Sequence, residues 1–125
     1  ILVMIETAQA VENAEAILSV EGVTGCFIGP ADLALSLECS ETGPGTEHEA
    51  AILEVLNVCK KVGKAAGKHC GSGAEVTARI GQGFQFLALS SDAGLMAKAA
   101  RAEFDAVDFS GGSGGDAGAE AKIYS

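Results

Sequence analysis

Apolar positions along this chain follow two different periods. The continuous runs Ile1-Leu2-Val3-Met4-Ile5 and Cys26-Phe27-Ile28 are too short for helices and predict strands buried on both faces. Phe84 to Leu89 gives another such strand, and Lys68 to Gly71 a weaker one, diluted by His69 and glycine. Between the runs the spacing changes to three and four. Ala10, Ala14, Ile17 and Leu18 form one helical face behind a Thr7 cap, with Glu12, Asn13 and Glu15 outward and Gly22 as the stop. A short helical segment, Ala31 to Leu37, follows the Gly29-Pro30 turn, and Glu38 to Gly45 has the composition of a surface loop. Thr46-Glu47-His48-Glu49 has the form of a capping box. It opens a long helix with Ile52, Val55, Leu56, Cys59 and Val62 on one face, closed by the glycines at 63 and 67. A second such box, Ser72 to Glu75, opens a helix through Ile80. The last helix begins at Ser90-Ser91-Asp92, with Asp92 as N-cap, and runs to about Ala106. Residues 1–109 form the folded domain in this reading, and the glycine-rich stretch 110–125 is expected to be a flexible tail.

Strands that alternate with helices and carry little internal alternation imply an α/β fold with a parallel sheet. The expectation is four parallel βα units in sequential order, with helices on one face. A complete (β/α)8 barrel takes about 250 residues, so the chain has the length of half of one, and a small doubly wound sheet is the competing architecture. The chain begins inside a strand and without an initiator methionine, which reads as a piece cut from something longer.

Composition narrows the partners. With 125 residues, 48% of them apolar, a single core is within reach. A net charge of -9 argues against nucleic acid and against an anionic membrane surface, since both would repel the chain. No apolar run approaches the length of a membrane span. Cys26, Cys39, Cys59 and Cys70 are irregularly spaced with no C-x-x-C pair, which predicts reduced thiols in a cytoplasmic protein rather than a zinc or disulfide framework.

The candidate chemistry lies at the ends of the first two strands. One ends on Glu6, and the other runs into Gly29-Pro30-Ala31-Asp32-Leu33. Neighbouring parallel strands lie about 4.8 Å apart, so the two carboxylates can close on one hard cation. By pattern alone, the same acids also read as solvated residues at strand ends. Gly29-Pro30-Ala31 likewise reads either as a plain strand-to-helix turn or as a helix start that favours a substrate carboxylate.

Ile5-Glu6-Thr7, Val11-Glu12-Asn13, Gly22-Val23, Gly29-Pro30-Ala31-Asp32-Leu33 and Gly83-Phe84 with Ser91-Asp92 occur in an order that resembles the HpcH/HpaI aldolase family over about residues 1 to 106. The resemblance implies the C-terminal half of a (β/α)8 barrel from a class II, metal-dependent lyase that cleaves 4-hydroxy-2-oxo acids to pyruvate and an aldehyde. It implies that Glu6 and Asp32 bind a divalent metal, Mg²⁺ or Mn²⁺ with Co²⁺ or Zn²⁺ as alternatives. Gly29, Pro30 and Ala31 would then face a pyruvate- or oxaloacetate-like 2-oxo acid, and the whole would be a homo-oligomer. Some positions depart from the family. Met4 stands where many members carry glutamine, and Gly71-Ser72-Gly73 replaces a more apolar word. The family's acid–base histidine and keto-polarising arginine have no matching segment, so no catalytic residue is assigned. Arg79 and Arg101 are not promoted to that role, His69 is read as structural and His48 as surface. The alternatives are a non-catalytic half-barrel that serves in binding or assembly, and a citrate-lyase-β-like C–C lyase acting on acyl-CoA esters.

Overall fold

The computed structural model describes residues 1–40 and 42–108. Four strands, β1 (Leu2–Ile5), β2 (Gly25–Ile28), β3 (Ala65–Cys70) and β4 (Phe86–Leu89), form one sheet in the order β1-β2-β3-β4. Every neighbouring pair is parallel, as the alternation of runs and helical faces predicts. The connecting helices are α1 (Ala8–Glu12), α2 (Ala14–Leu18), α3 (Pro30–Ser36), α4 (Glu47–Val62) and α5 (Gly73–Gln82). These elements belong to a compact unit, Ile1–Ser91. A second unit begins at Asp92 and contains α6 (Asp92–Asp105), at whose start the Ala93 N–H donates to Asp92 Oδ1 at 2.8 Å. The tail expected at 110–125 lies outside the described residues.

The core follows from the helical face of α4. Ile52, Val55, Leu56 and Cys59 are buried there, and Val62 is half-buried. They pack with Val11 and Leu18 of the first two helices and with Ile5, Cys26, Ile28 and Ala66 of the sheet. Each fully buried aliphatic side chain contributes roughly 1.5–3 kcal/mol, so this face of α4 anchors the unit. The other side of the sheet is open: Leu2, Met4 and Phe86 are 40%, 51% and 51% exposed.

Local chemistry moves several expected boundaries. The first helix is two, because Asn13 breaks it at φ -97° and ψ 9° while its Nδ2 donates to the Gln9 carbonyl at 2.8 Å. β3 starts at Ala65, earlier than Lys68, because Gly63 alone ends α4 in the left-handed conformation at φ 67°. Gly67 does not close that helix; it lies inside β3. A Cβ there would fall 2.8 Å from the Phe86 carbonyl oxygen and 3.0 Å from that of Cys26, so only glycine fits between the strands. Phe27 and Phe86 meet edge to face with ring centroids 5.6 Å apart. β4 begins at Phe86, while Phe84 is buried just before it.

Candidate metal centre

The carboxylate at the end of β1 and the turn at the end of β2 lie side by side. Ile5 pairs with Ile28, which brings Glu6 level with Gly29. A Cβ placed on Gly29 would lie 2.8 Å from Glu6 Oε2, 3.3 Å from Glu6 Cβ and 3.4 Å from Met4 Cε. The carboxylate therefore rests directly against the Gly29 backbone, in a cradle that any other residue would fill. Gly29 is the N-cap of α3, Pro30 holds its first position, and the Leu33 N–H donates to the Gly29 carbonyl at 2.9 Å. This turn presents Ala31 and Asp32 at the surface, with Asp32 in the first turn of α3.

The two arms are tied to each other. Thr7 caps α1 by accepting from the Ala10 N–H at 3.1 Å, and the Ala8 N–H donates across to Ser36 Oγ at 3.0 Å. Ser36 closes α3, so one helix carries both Asp32 and the hydroxyl that fixes the segment after Glu6. Two carboxylates are a hard-oxygen donor set of the kind that Mg²⁺ or Mn²⁺ accepts with its other positions open. Among the described residues, no three His, Cys, Asp or Glu side chains converge on one point. Glu6 and Asp32 are the carboxylates that these two strand ends supply.

Behind the turn lies a cavity of about 510 Å³ lined by Pro30, His48, Glu49, Lys68, Glu75 and Arg79, among others. Sequence reasoning missed this cluster. Arg79 forms a two-pronged ion pair with Glu49 at 2.6 and 2.7 Å, and Lys68 Nζ meets Glu75 Oε1 at 2.7 Å. The Arg79 guanidinium also stands 3.7 Å from Glu75. The hydrogen bond with Glu49 holds Arg79 above its ordinary pKa against the opposing effect of burial. For Glu75, burial works against ionisation. Hydrogen bonds from Lys68 and the Gly71 N–H, with the charges of Lys68 and Arg79, outweigh it and lower the pKa.

His48 corrects the sequence reading. It is not a surface residue of an exposed helix: it is 4% exposed, and its Nε2 lies 2.7 Å from the Pro30 carbonyl oxygen. The available signal was its place four residues before Ile52, on the buried face of α4. Arg79 is buried against Glu49 and lines the cavity with Pro30 and Gly71, which the sequence could not show. His69 is half-buried in β3. Cys26 and Cys59 are free thiols with sulfurs 3.4 Å apart in the core. No described helix is long and apolar enough to cross a membrane.

A family profile described as HpcH/HpaI aldolase/citrate lyase matches residues 1–107. Hydroxypyruvate/pyruvate aldolase of Rhizorhabdus wittichii is 40% identical over 102 residues, which cover 80% of this chain and 41% of that protein. 4-Hydroxy-2-oxo-heptane-1,7-dioate aldolase of Shigella sonnei is 37% identical over 102 residues, covering 82% of this chain and 39% of that one. A crystal structure of an HpcH/HpaI aldolase/citrate lyase family protein from Burkholderia cenocepacia superposes with a TM-score of 0.78 at 31% identity, covering 83% of this chain and 40% of that one. The chain spans about 40% of the length of the curated relatives it matches.

Proposed function

Since the chain belongs to the HpcH/HpaI aldolase/citrate lyase family, we propose that it supplies the metal- and 2-oxo-acid-binding part of a class II aldolase. The reaction is cleavage of a 4-hydroxy-2-oxo acid to pyruvate and an aldehyde. One observation carries this reading: Glu6 Oε2 lies against the bare Gly29 backbone, beside the turn that delivers Asp32. Aldolase is preferred to citrate lyase because the named relatives at 37–40% identity are aldolases.

Glu6 and Asp32 hold the metal, preferentially Mg²⁺ or Mn²⁺, as oxygen ligands from two neighbouring elements. When bound, the metal supplies positive charge against the negative charge that develops on the keto oxygen. Gly29, Pro30 and Ala31 form the wall against which the oxo acid rests, and Met4 adds an apolar neighbour there. Breaking the C3–C4 bond converts the 4-hydroxyl into the aldehyde carbonyl with loss of its proton. The enolate that remains takes a proton at C3 to become pyruvate. No residue of the chain is assigned to either proton transfer. A positioned acid or base is worth about 10² to 10⁴ in rate, so the chain alone should release little or no pyruvate. The assembled enzyme is a cytoplasmic homo-oligomer in this reading, a setting consistent with free thiols.

The test is titration of the chain with Mn²⁺, with and without pyruvate, for the wild type and Asp32→Asn. Loss of a partner that merely supports a metal ligand costs about 10- to 100-fold in affinity, so loss of the ligand itself should cost at least that much. Asp32 is exposed, so circular dichroism and melting should be unchanged. Equal Mn²⁺ affinity in the two proteins would remove Asp32 from the site.

A further inference from the structure

We propose that His48 is a positioning residue of the metal centre: its Nε2–H, donated to the Pro30 carbonyl, holds the Gly29–Asp32 turn in the geometry that presents Asp32. The inference rests on the reading of Glu6 and Asp32 as metal ligands. A carbonyl oxygen only accepts, so the contact at 2.7 Å fixes the proton on Nε2. The ring is 4% exposed, and its other nitrogen, Nδ1, is buried without a hydrogen-bond partner among the described residues. An orphaned buried acceptor is destabilising, so an apolar side chain would serve the core better than imidazole does. What the imidazole adds is the bond to Pro30.

That bond has a firm origin. His48 lies between two anchored residues of the first turn of α4. Thr46 Oγ1 accepts from the Glu49 N–H at 3.2 Å, and the Glu49 carboxylate is gripped by Arg79 from α5. The box that the sequence predicts at Thr46–Glu49 is therefore only half made. The Glu49 side chain turns to Arg79, while the Thr46 N–H donates to the Gly43 carbonyl. At the far end of the bond, Pro30 stands two residues before Asp32 and next to the Gly29 backbone on which Glu6 rests. Movement of the Pro30 carbonyl would carry both ligand positions with it.

The experiment compares His48→Leu and His48→Gln in the full chain, with His48→Met as a second apolar variant should the leucine not fold. Three quantities are read: Mn²⁺ affinity, melting temperature, and hydrogen exchange at the Leu33 amide, which bonds to Gly29. His48→Leu should bind Mn²⁺ about tenfold more weakly, melt no lower than wild type, and exchange faster at Leu33. His48→Gln, whose amide can donate to Pro30, should restore affinity and protection. Wild-type affinity in His48→Leu, or failure of glutamine to restore what leucine loses, would overturn the proposal. So would an affinity loss that only tracks a lower melting temperature. If the wild-type chain binds no Mn²⁺, the metal reading itself fails. Leu33 exchange then decides the role of His48 in the turn: faster in leucine and restored in glutamine sustains it, and no change overturns it.

Discussion

Gly29 is the residue on which the site turns, because the Glu6 carboxylate occupies the space its side chain would need. Glu6 Oε2 is the far end of a flexible side chain, so Gly29→Ala should fold by pushing the carboxylate aside. We expect its melting temperature to stay within about 3 °C of wild type, corresponding to less than about 1 kcal/mol for a domain of this size. Mn²⁺ affinity should fall about tenfold or more. Unchanged affinity, measured by Mn²⁺ titration, would mean that the position of Glu6 is unimportant to the metal. Glu6 and Gly29 were legible in the sequence because acid and turn both follow apolar runs, and parallel pairing leaves adjacent strand ends side by side. His48 was legible only in part: its spacing to Ile52 sets it on the buried face of α4, but nothing in the sequence shows its partner. Polar type and a place in the first turn of a helix both suggest solvent. Only the position of Pro30 in space shows that a buried histidine has a partner.

At the scale of elements, α4 and α5 are joined to β3 by charge where an apolar seam would be expected. Lys68 of β3 is 4% exposed at its side chain and pairs with Glu75 of α5, which Arg79 of the same helix approaches at 3.7 Å. Such a network costs desolvation, and removing one member leaves another uncompensated. Glu75 reports on it through pH. Its folded carboxyl lies below the ordinary value, so the folded state binds fewer protons than the unfolded chain around that range. Its contribution is complete at neutral pH and is lost as pH falls through the depressed folded value. Melting of wild type and Glu75→Gln from about pH 7 to about pH 3 should show the widest gap at neutral pH and a narrowing gap on acidification. A gap that stays constant into acid would refute the linkage. The elements themselves were readable from periodicity. Their ends were set by contacts that it does not encode: Asn13 turning its amide onto Gln9, and Gly67 admitting two backbones at close range.

At the scale of the molecule, sheet order and direction were legible, since right-handed βα connections favour sequential parallel pairing. The open face was also implied, because apolar runs without alternation need cover on both sides. Leu2, Met4 and Phe86 remain half-exposed there, and β1 and β4 are sheet edges. Apolar surface beside unpaired strand edges favours association. Light scattering of the chain should therefore show mass rising with concentration through the micromolar range. A constant monomer mass would count against it. Sequential order also sets a timetable for synthesis. Glu6, Gly29, Asp32 and Ser36 all lie before the longest connection in the sheet, the one between β2 and β3 that holds α4. Closing that connection is the entropically costly step, so both carboxylates leave the ribosome and can meet before the helix bearing His48 has docked. Within this segment the two carboxylates therefore precede their clamp in the order of synthesis.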